Sequence, residues 1–143
     1  MVLPMFLSCG SQSVYEEFKS FENMSWNRFD DQQFEFRVKD IGSKYTLKII
    51  LVPDTNIQNN TIAFDTRIIT PGGEERLMSH KLHLNRQKPD EASSDEGKQA
   101  FSAYLLKDHT FSEKGPVKID VYNRMPITRT TGLHEIGLKV LKK

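Results

Sequence analysis

The stretch Phe34-Glu35-Phe36-Arg37-Val38-Lys39 alternates apolar and charged residues without a break. Successive side chains of a β-strand point to opposite faces, so this alternation predicts a strand with its three apolar residues on one buried face. Residues 45–52 begin with the same alternation and then become apolar on both faces, which is typical of a strand in the middle of a sheet. We therefore expect the fold to be built around these two strands.

Similar short patterns continue along the chain. They predict further strands at residues 62–70, 77–84, 100–106, 117–122 and 136–141, with a short additional strand at 14–18. Pro71-Gly72-Gly73 is a strong turn signal, and no segment shows a 3.6-residue apolar stripe of helical length. The sequence predicts an all-β fold: a single antiparallel β-sandwich, Ig-like or jelly-roll-like, of about seven or eight strands.

The β-sandwich domain is assigned to residues 14–143, because a chain of 143 residues suits one domain. Residues 85–98 contain no large apolar side chain, so we expect one long polar loop within that domain. The formal net charge is +1. Nucleic-acid binders usually carry a basic excess, so we expect no nucleic-acid partner.

The single cysteine, Cys9, rules out an intramolecular disulfide framework. It follows an apolar segment, and Phe6-Leu7-Ser8-Cys9 resembles a bacterial lipobox, in which the cysteine receives lipid. Residues 1–9 are accordingly interpreted as the remnant of a lipoprotein signal peptide, and residues 10–13 as a polar tether. The alternative is an ordinary hydrophobic tail with an incidental thiol.

No pattern in the sequence points to catalysis. His80 and His83 are three residues apart in a predicted strand, so their side chains point to opposite faces and do not share a metal ion. Adjacent acidic side chains, at residues 16–17, 30–31, 74–75 and 90–91, also point in different directions and do not form a converging carboxylate pair. The sequence contains no nucleophile elbow and no phosphate-binding loop. We expect no cofactor, no metal and no enzymatic activity. An enzyme whose site is assembled from distant strands is the remaining catalytic alternative.

A few aromatic and basic residues are candidates for contact with a partner. The segment 122–127 contains Tyr, Arg and Met, which are favoured in protein interfaces, although it could equally be a turn packed on its own sheet. Exposed side by side, Trp26 and Tyr122 would form a sugar-stacking platform, whereas Trp alone is more often buried. The candidate partner contacts are Trp26, Tyr122, Arg124 and Met125. The alternative function is a secreted carbohydrate-binding module.

Four motifs, in order, resemble the GldH type of gliding-motility lipoprotein. The first is a Tyr-acid-x-aromatic run at residues 14–18, followed by Asn23 and Trp26. A Tyr-x-Leu-x-Ile strand follows at residues 45–49, then a Phe-x-x-x-Gly turn at residues 111–115. The most specific motif is Gly132-Leu133-His134-Glu135-Ile136-Gly137-Leu138.

The resemblance implies an outer-membrane protein anchored by lipid on Cys9. The resemblance implies that the protein has no catalytic residues. It also implies contacts with envelope proteins of a motility or secretion machinery. Gly10 is not Asp, and residues 10–13 hold no acidic cluster. Inner-membrane retention and surface export are therefore not indicated, and we expect the domain to face the periplasm.

Overall fold

The computed structural model describes residues 10–85 and 98–143. Within them the chain forms strands joined by turns and a single 3₁₀ turn at Glu22–Met24. The strands are β1 (Gln12–Ser20), β2 (Ser25–Asn27), β3 (Gln32–Val38), β4 (Tyr45–Pro53), β5 (Thr61–Ile69), β6 (Glu75–His83), β7 (Phe101–His109), β8 (Gly115–Asn123), β9 (Arg129–Thr131) and β10 (Leu133–Lys142).

Two four-stranded antiparallel sheets form the sandwich. One has the strand order β1-β10-β4-β7, the other has the order β3-β8-β5-β6, and β2 and β9 form a separate short ladder. The pairs β1–β10, β2–β9, β3–β8, β4–β7 and β5–β6 are nested inside one another along the chain. This is the arrangement of a long hairpin rolled up into two sheets, which defines a jelly roll rather than an Ig-like sandwich.

The core lies between the sheets and is filled by the alternating residues that the sequence predicts. Phe34, Phe36 and Val38 of β3 are buried, while the intervening residues are exposed. Every residue of β4 is buried, because its second face also carries a small cluster in which Ile50 and Val52 pack with neighbouring apolar side chains. The position of β4 inside its sheet confirms that it is a central strand.

The predicted fold class is confirmed, and the strand expected near residues 14–18 is β1. Because β1 begins at Gln12, half of the segment assigned to the tether belongs to this strand. The short strands β2 and β9 were not predicted, since three residues are too few to establish an alternation. Cys9 and most of the polar loop predicted at 85–98 lie outside the described residues.

The sandwich has two ends: the proximal end, where β1 begins, and the distal end, where β1 ends. The proximal end contains Gly10, the loops at residues 39–44, 70–74 and 110–114, and Lys143. The distal end contains residues 21–31, 54–60 and 124–132. Strand β1 runs from one end to the other, and its nine residues separate the two by about 26 Å at the usual rise per residue.

Candidate functional site

The short β2–β9 ladder organises the distal end around Trp26. The indole ring is 0% exposed and stacks on Phe21 with ring centroids 5.4 Å apart. Its Nε1–H donates a hydrogen bond to the carbonyl of Asp30 at 2.7 Å, and Trp26 pairs with Thr130 across the ladder. Both the apolar ring and its single donor are therefore satisfied inside the protein.

Asn123, the last residue of β8, joins this ladder to the main sheet. Its buried side-chain Nδ2–H group donates to the carbonyl of Trp26 at 3.1 Å and to Oγ1 of Thr130 at 3.3 Å. Its Oδ1 accepts the backbone N–H of Met125 at 2.9 Å. One amide thus holds three segments of the chain, and it fixes where the loops on either side leave the fold.

Two of the candidate partner contacts, Trp26 and Met125, are buried, which corrects the prediction that they contact a partner. Trp26 is enclosed as described, and Met125 is 6% exposed, with its Sδ accepting the backbone N–H of Ala63 at 3.2 Å. Neither side chain is available to a partner in this structure. A sugar-stacking platform of Trp26 with Tyr122 is likewise absent, which removes the observation that favoured a carbohydrate-binding module.

Tyr122 and Arg124 do reach the surface, on the outer face of the β3-β8-β5-β6 sheet. Arg124 is exposed, and its Nε lies 2.7 Å from Oδ2 of Asp65. Tyr122 is half-buried beside it, and its hydroxyl lies 3.4 Å from Oδ2 of Asp120. Arg124 is thus held by a partner on the neighbouring strand β5, and Tyr122 by a partner on β8 itself, so both side chains have defined positions.

Two exposed apolar residues lie near this surface: Phe29, which the sequence did not suggest, and Ile127, the last residue of the candidate contact segment 122–127. Phe29 is 87% exposed and Ile127 is 41% exposed. They lie in adjacent loops, because the backbone N–H of Arg28 donates to the carbonyl of Thr128 at 2.8 Å. A lone aromatic in the polar turn between β2 and β3 is the signal in the sequence that could have identified Phe29.

Basic residues flank these exposed side chains. The guanidinium of Arg28 lies 6.0 Å from the Phe29 ring centroid, and Nε of Arg129 lies 3.3 Å from Oδ1 of Asn27. The set that these loops present is called the distal patch. It consists of Arg28, Phe29, Arg124, Ile127 and Arg129.

Acidic residues near the patch keep its charge mixed. Partial desolvation, followed by the negative charges of Asp120 and Asp30, raises the pKa of the Asp31 carboxyl above its ordinary value. Arg124 acts in the opposite direction and favours the ionised carboxylate. The distal patch is therefore an apolar centre with charges of both signs around it, as in the polar rim of many protein interfaces.

A groove runs between the edge strands β1 and β3 on one side of the sandwich. It contains two cavities of about 510 and 620 Å³, both of which are lined by Glu35. Lys19 spans the groove: its Nζ donates to the carbonyl of Gln33 and lies 4.8 Å from the Phe34 ring centroid. The groove is thus bridged by a side chain of its own and lined with mixed charges.

The part of the chain that the structure describes holds neither a cluster of metal ligands nor a helix that could cross a membrane. Across residues 10–85 and 98–143, no three or more His, Cys, Asp or Glu side chains lie close enough to hold a metal ion. Within the same ranges, no helix is long and apolar enough to cross a membrane.

Fold and surface together define an all-β domain of the jelly-roll class with an apolar, charge-rimmed patch at the end opposite the start of β1. The chain matches the model of the GldH lipoprotein family over residues 13–140 and belongs to that family. The resemblance drawn from the four motifs is therefore confirmed. No curated protein matches the chain. Membership of a lipoprotein family implies association with a membrane.

Proposed function

We propose that this protein is a non-catalytic lipoprotein of the outer membrane, which faces the periplasm and acts through protein–protein contacts. Its partners would be envelope proteins of a gliding or secretion machinery. The match to the GldH lipoprotein family over residues 13–140 is the observation that carries the proposal. Cys9, four residues before the matched segment, is the proposed site of lipid attachment.

The proposed mechanism depends on holding the domain at the membrane surface. Each buried methylene of an attached acyl chain contributes about 0.8 kcal/mol to membrane binding, so several chains on one cysteine give a stable anchor. An anchored domain meets other proteins of the same membrane at a high effective concentration, and weak contacts then suffice for function.

The distal patch is the proposed contact surface. Its centre, Phe29 and Ile127, is apolar and exposed, and aromatic and Arg residues are enriched where binding energy concentrates in interfaces. The patch lies at the opposite end from the start of β1, so an anchor on Cys9 would leave it pointing away from the bilayer.

The anchor is tested in the source cell with the complete reading frame and a Cys9→Ala variant. Membranes are fractionated, intact cells are treated with protease, and the intact mass of the mature N-terminus is measured. We expect a lipid-sized mass increase on Cys9, loss from the outer-membrane fraction in the variant, and resistance to protease. An unmodified chain that stays out of the membrane fraction would overturn the proposal, and protease sensitivity would reverse the assigned orientation.

The contact surface is tested by complementing a deletion strain with Phe29→Ser. Tyr104→Ser is the matched control, because Tyr104 is 51% exposed but lies on β7 in the other sheet. We expect Phe29→Ser to accumulate normally and fail to restore movement or envelope integrity, while Tyr104→Ser restores it. Full complementation by Phe29→Ser would exclude the distal patch as the contact.

A further inference from the structure

The proximal end of the sandwich gathers lysines from loops that are distant in sequence. Strand pairing of Val38 with Gly115 brings the loops that follow β3 and precede β8 together. Lys44 and Lys143 exchange two backbone hydrogen bonds, of 2.9 and 3.3 Å. The lysines at this end are Lys39, Lys44, Lys114 and Lys143, together with Lys142, the last residue of β10.

Acidic residues at this end neutralise the lysines only in part. Nζ of Lys142 lies 2.6 Å from Oδ2 of Asp40. That hydrogen bond, together with the positive charges of Lys142, Lys114 and Lys39, holds the pKa of Asp40 below its ordinary value. Glu74 and Glu113 lie in the other turns of the proximal end. Apart from Glu75, the first residue of β6, whose carboxylate is paired with Arg67 of β5, the five lysines therefore exceed the carboxylate side chains at this end by two.

An exposed apolar residue lies within this basic surface. Ile41 is 48% exposed in the turn between β3 and β4, beside Asp40. A surface that combines lysines with an isolated apolar side chain is suited to the boundary between lipid headgroups and acyl chains. We call Ile41 and the five lysines the proximal face.

The proximal face also lies where the chain approaches its anchor. Only Gly10 and Ser11 separate Cys9 from Gln12, the first residue of β1. Three residue steps span at most about 11 Å even when fully extended. Gln12 pairs with Lys142, so a lipid on Cys9 would hold the lysines near the headgroup layer. At physiological ionic strength, electrostatic attraction acts over about 8 Å.

We propose that the proximal face docks on the headgroups of anionic lipids and thereby orients the domain. The proposal deepens the proposed function, since it rests on an anchor at Cys9. The lipid tether supplies attachment, while the lysines determine which end of the sandwich meets the bilayer. The distal patch then lies on the side away from the membrane, and the length of the sandwich separates it from the membrane surface.

Chemical tethering separates this proposal from native lipidation. The full chain contains one cysteine, so Cys9 can be coupled to a maleimide lipid in preformed vesicles. One vesicle type is phosphatidylcholine alone, and the other contains about one third phosphatidylglycerol. Lysine acetylation is then followed by mass spectrometry, with Lys81 and Lys118 as controls, because both are exposed on the sides of the sandwich.

We expect acetylation of Lys39, Lys44, Lys114 and Lys143 to slow roughly threefold or more on the anionic vesicles. Acetylation of Lys81 and Lys118 should be unchanged, and the protection should disappear at about 0.5 M NaCl, where the Debye length is only a few ångströms. Equal acetylation of the proximal lysines on both vesicle types would overturn the proposal, whether or not cells attach lipid to Cys9.

A pair of double variants provides the second readout. Lys39→Gln/Lys114→Gln removes two positive charges from the proximal face, and Lys81→Gln/Lys118→Gln removes two from the sides. Only the first is expected to abolish the protection of Lys44 and Lys143 on anionic vesicles. If both variants reduce protection equally, net charge rather than the proximal face causes it, and the proposal fails.

Discussion

Gly137, in the most specific of the four motifs, lies under the ring of Phe18 from the first motif. The two residues are register partners in the β1–β10 pair. A Cβ added to Gly137 would come within 2.5 Å of the Phe18 ring, far inside van der Waals contact. Two motifs that are distant in sequence thus meet in one cross-strand contact, in which an aromatic ring covers the space that a glycine leaves open.

Gly137→Ala should therefore force the Phe18 ring out of its position. We expect a loss of about 1–3 kcal/mol in the free energy of unfolding, the usual range for overpacking. Urea unfolding measures this loss. Gly42→Ala is the matched control, because nothing lies within 4 Å of a Cβ there and its effect should stay within about 0.5 kcal/mol. Equal stabilities of the two variants would refute the packing role.

His80 lies on the inner face of β6, where burial disfavours the charged form of its ring. Its ring stacks on Phe64 with centroids 5.0 Å apart, and its Nε2 lies 2.9 Å from Oγ1 of the buried Thr66. Burial lowers the pKa of His80 below its ordinary value of 6.5, and the nearby Asp65 opposes this shift. Burial, with a contribution from Arg76, also lowers the pKa of His109.

A lowered histidine pKa stabilises the folded protein at high pH. Above about pH 6.5 the ring is neutral in both states, and the contribution is fully present. Below that value the unfolded chain takes up the proton first, so stability should fall from pH 7.5 to pH 5. In His80→Gln the decrease in the free energy of unfolding should be smaller, as measured by urea unfolding at each pH. An undiminished decrease would show that other groups cause it.

At the scale of elements, the sequence predicted the long strands and missed how the distal end is built. Alternation identifies a strand of nine residues such as β8, whose inward residues continue through Asn123 to Met125. Extending that alternation by two residues would have placed Met125 inside. No comparable pattern surrounds Trp26, because β2 is short and its partner β9 is distant in sequence. The burial of Trp26 depends on this long-range pairing, which local pattern does not encode.

Asn123 should accordingly contribute substantially to the stability of the corner formed by β2 and β9. Asn123→Ala removes the side-chain donor to the Trp26 carbonyl and the side-chain acceptor of the Met125 N–H, and a buried polar group left unpaired costs about 1–3 kcal/mol. Urea unfolding should show a loss in this range. Asn27→Ala, which truncates an exposed amide in the same corner, should change stability by less than about 0.5 kcal/mol. A comparable loss in both variants would count against the bridging role.

At the scale of the whole molecule, the nested pairing implies an order of assembly. Strands β5 and β6 are joined by a short turn, whereas β1 must meet β10 from the other end of the chain. Closing a short loop loses less chain entropy than closing a long one. The inner pair can therefore form first and the outer pair last, and folding should be slow, in the range of milliseconds to seconds that is typical of β-sandwiches.

This order of assembly predicts how each of two matched substitutions changes the folding rate and the unfolding rate. Ile68 in β5 and Ile136 in β10 are both buried, and Ile→Val at either site should cost about 0.5–1.5 kcal/mol. Stopped-flow measurements in urea give both rates. Ile68→Val should mainly slow folding, because its contacts are present in the transition state, and Ile136→Val should mainly speed unfolding. The reverse result would mean that the chain ends meet first, and that the rolled hairpin closes from its open side towards its tip.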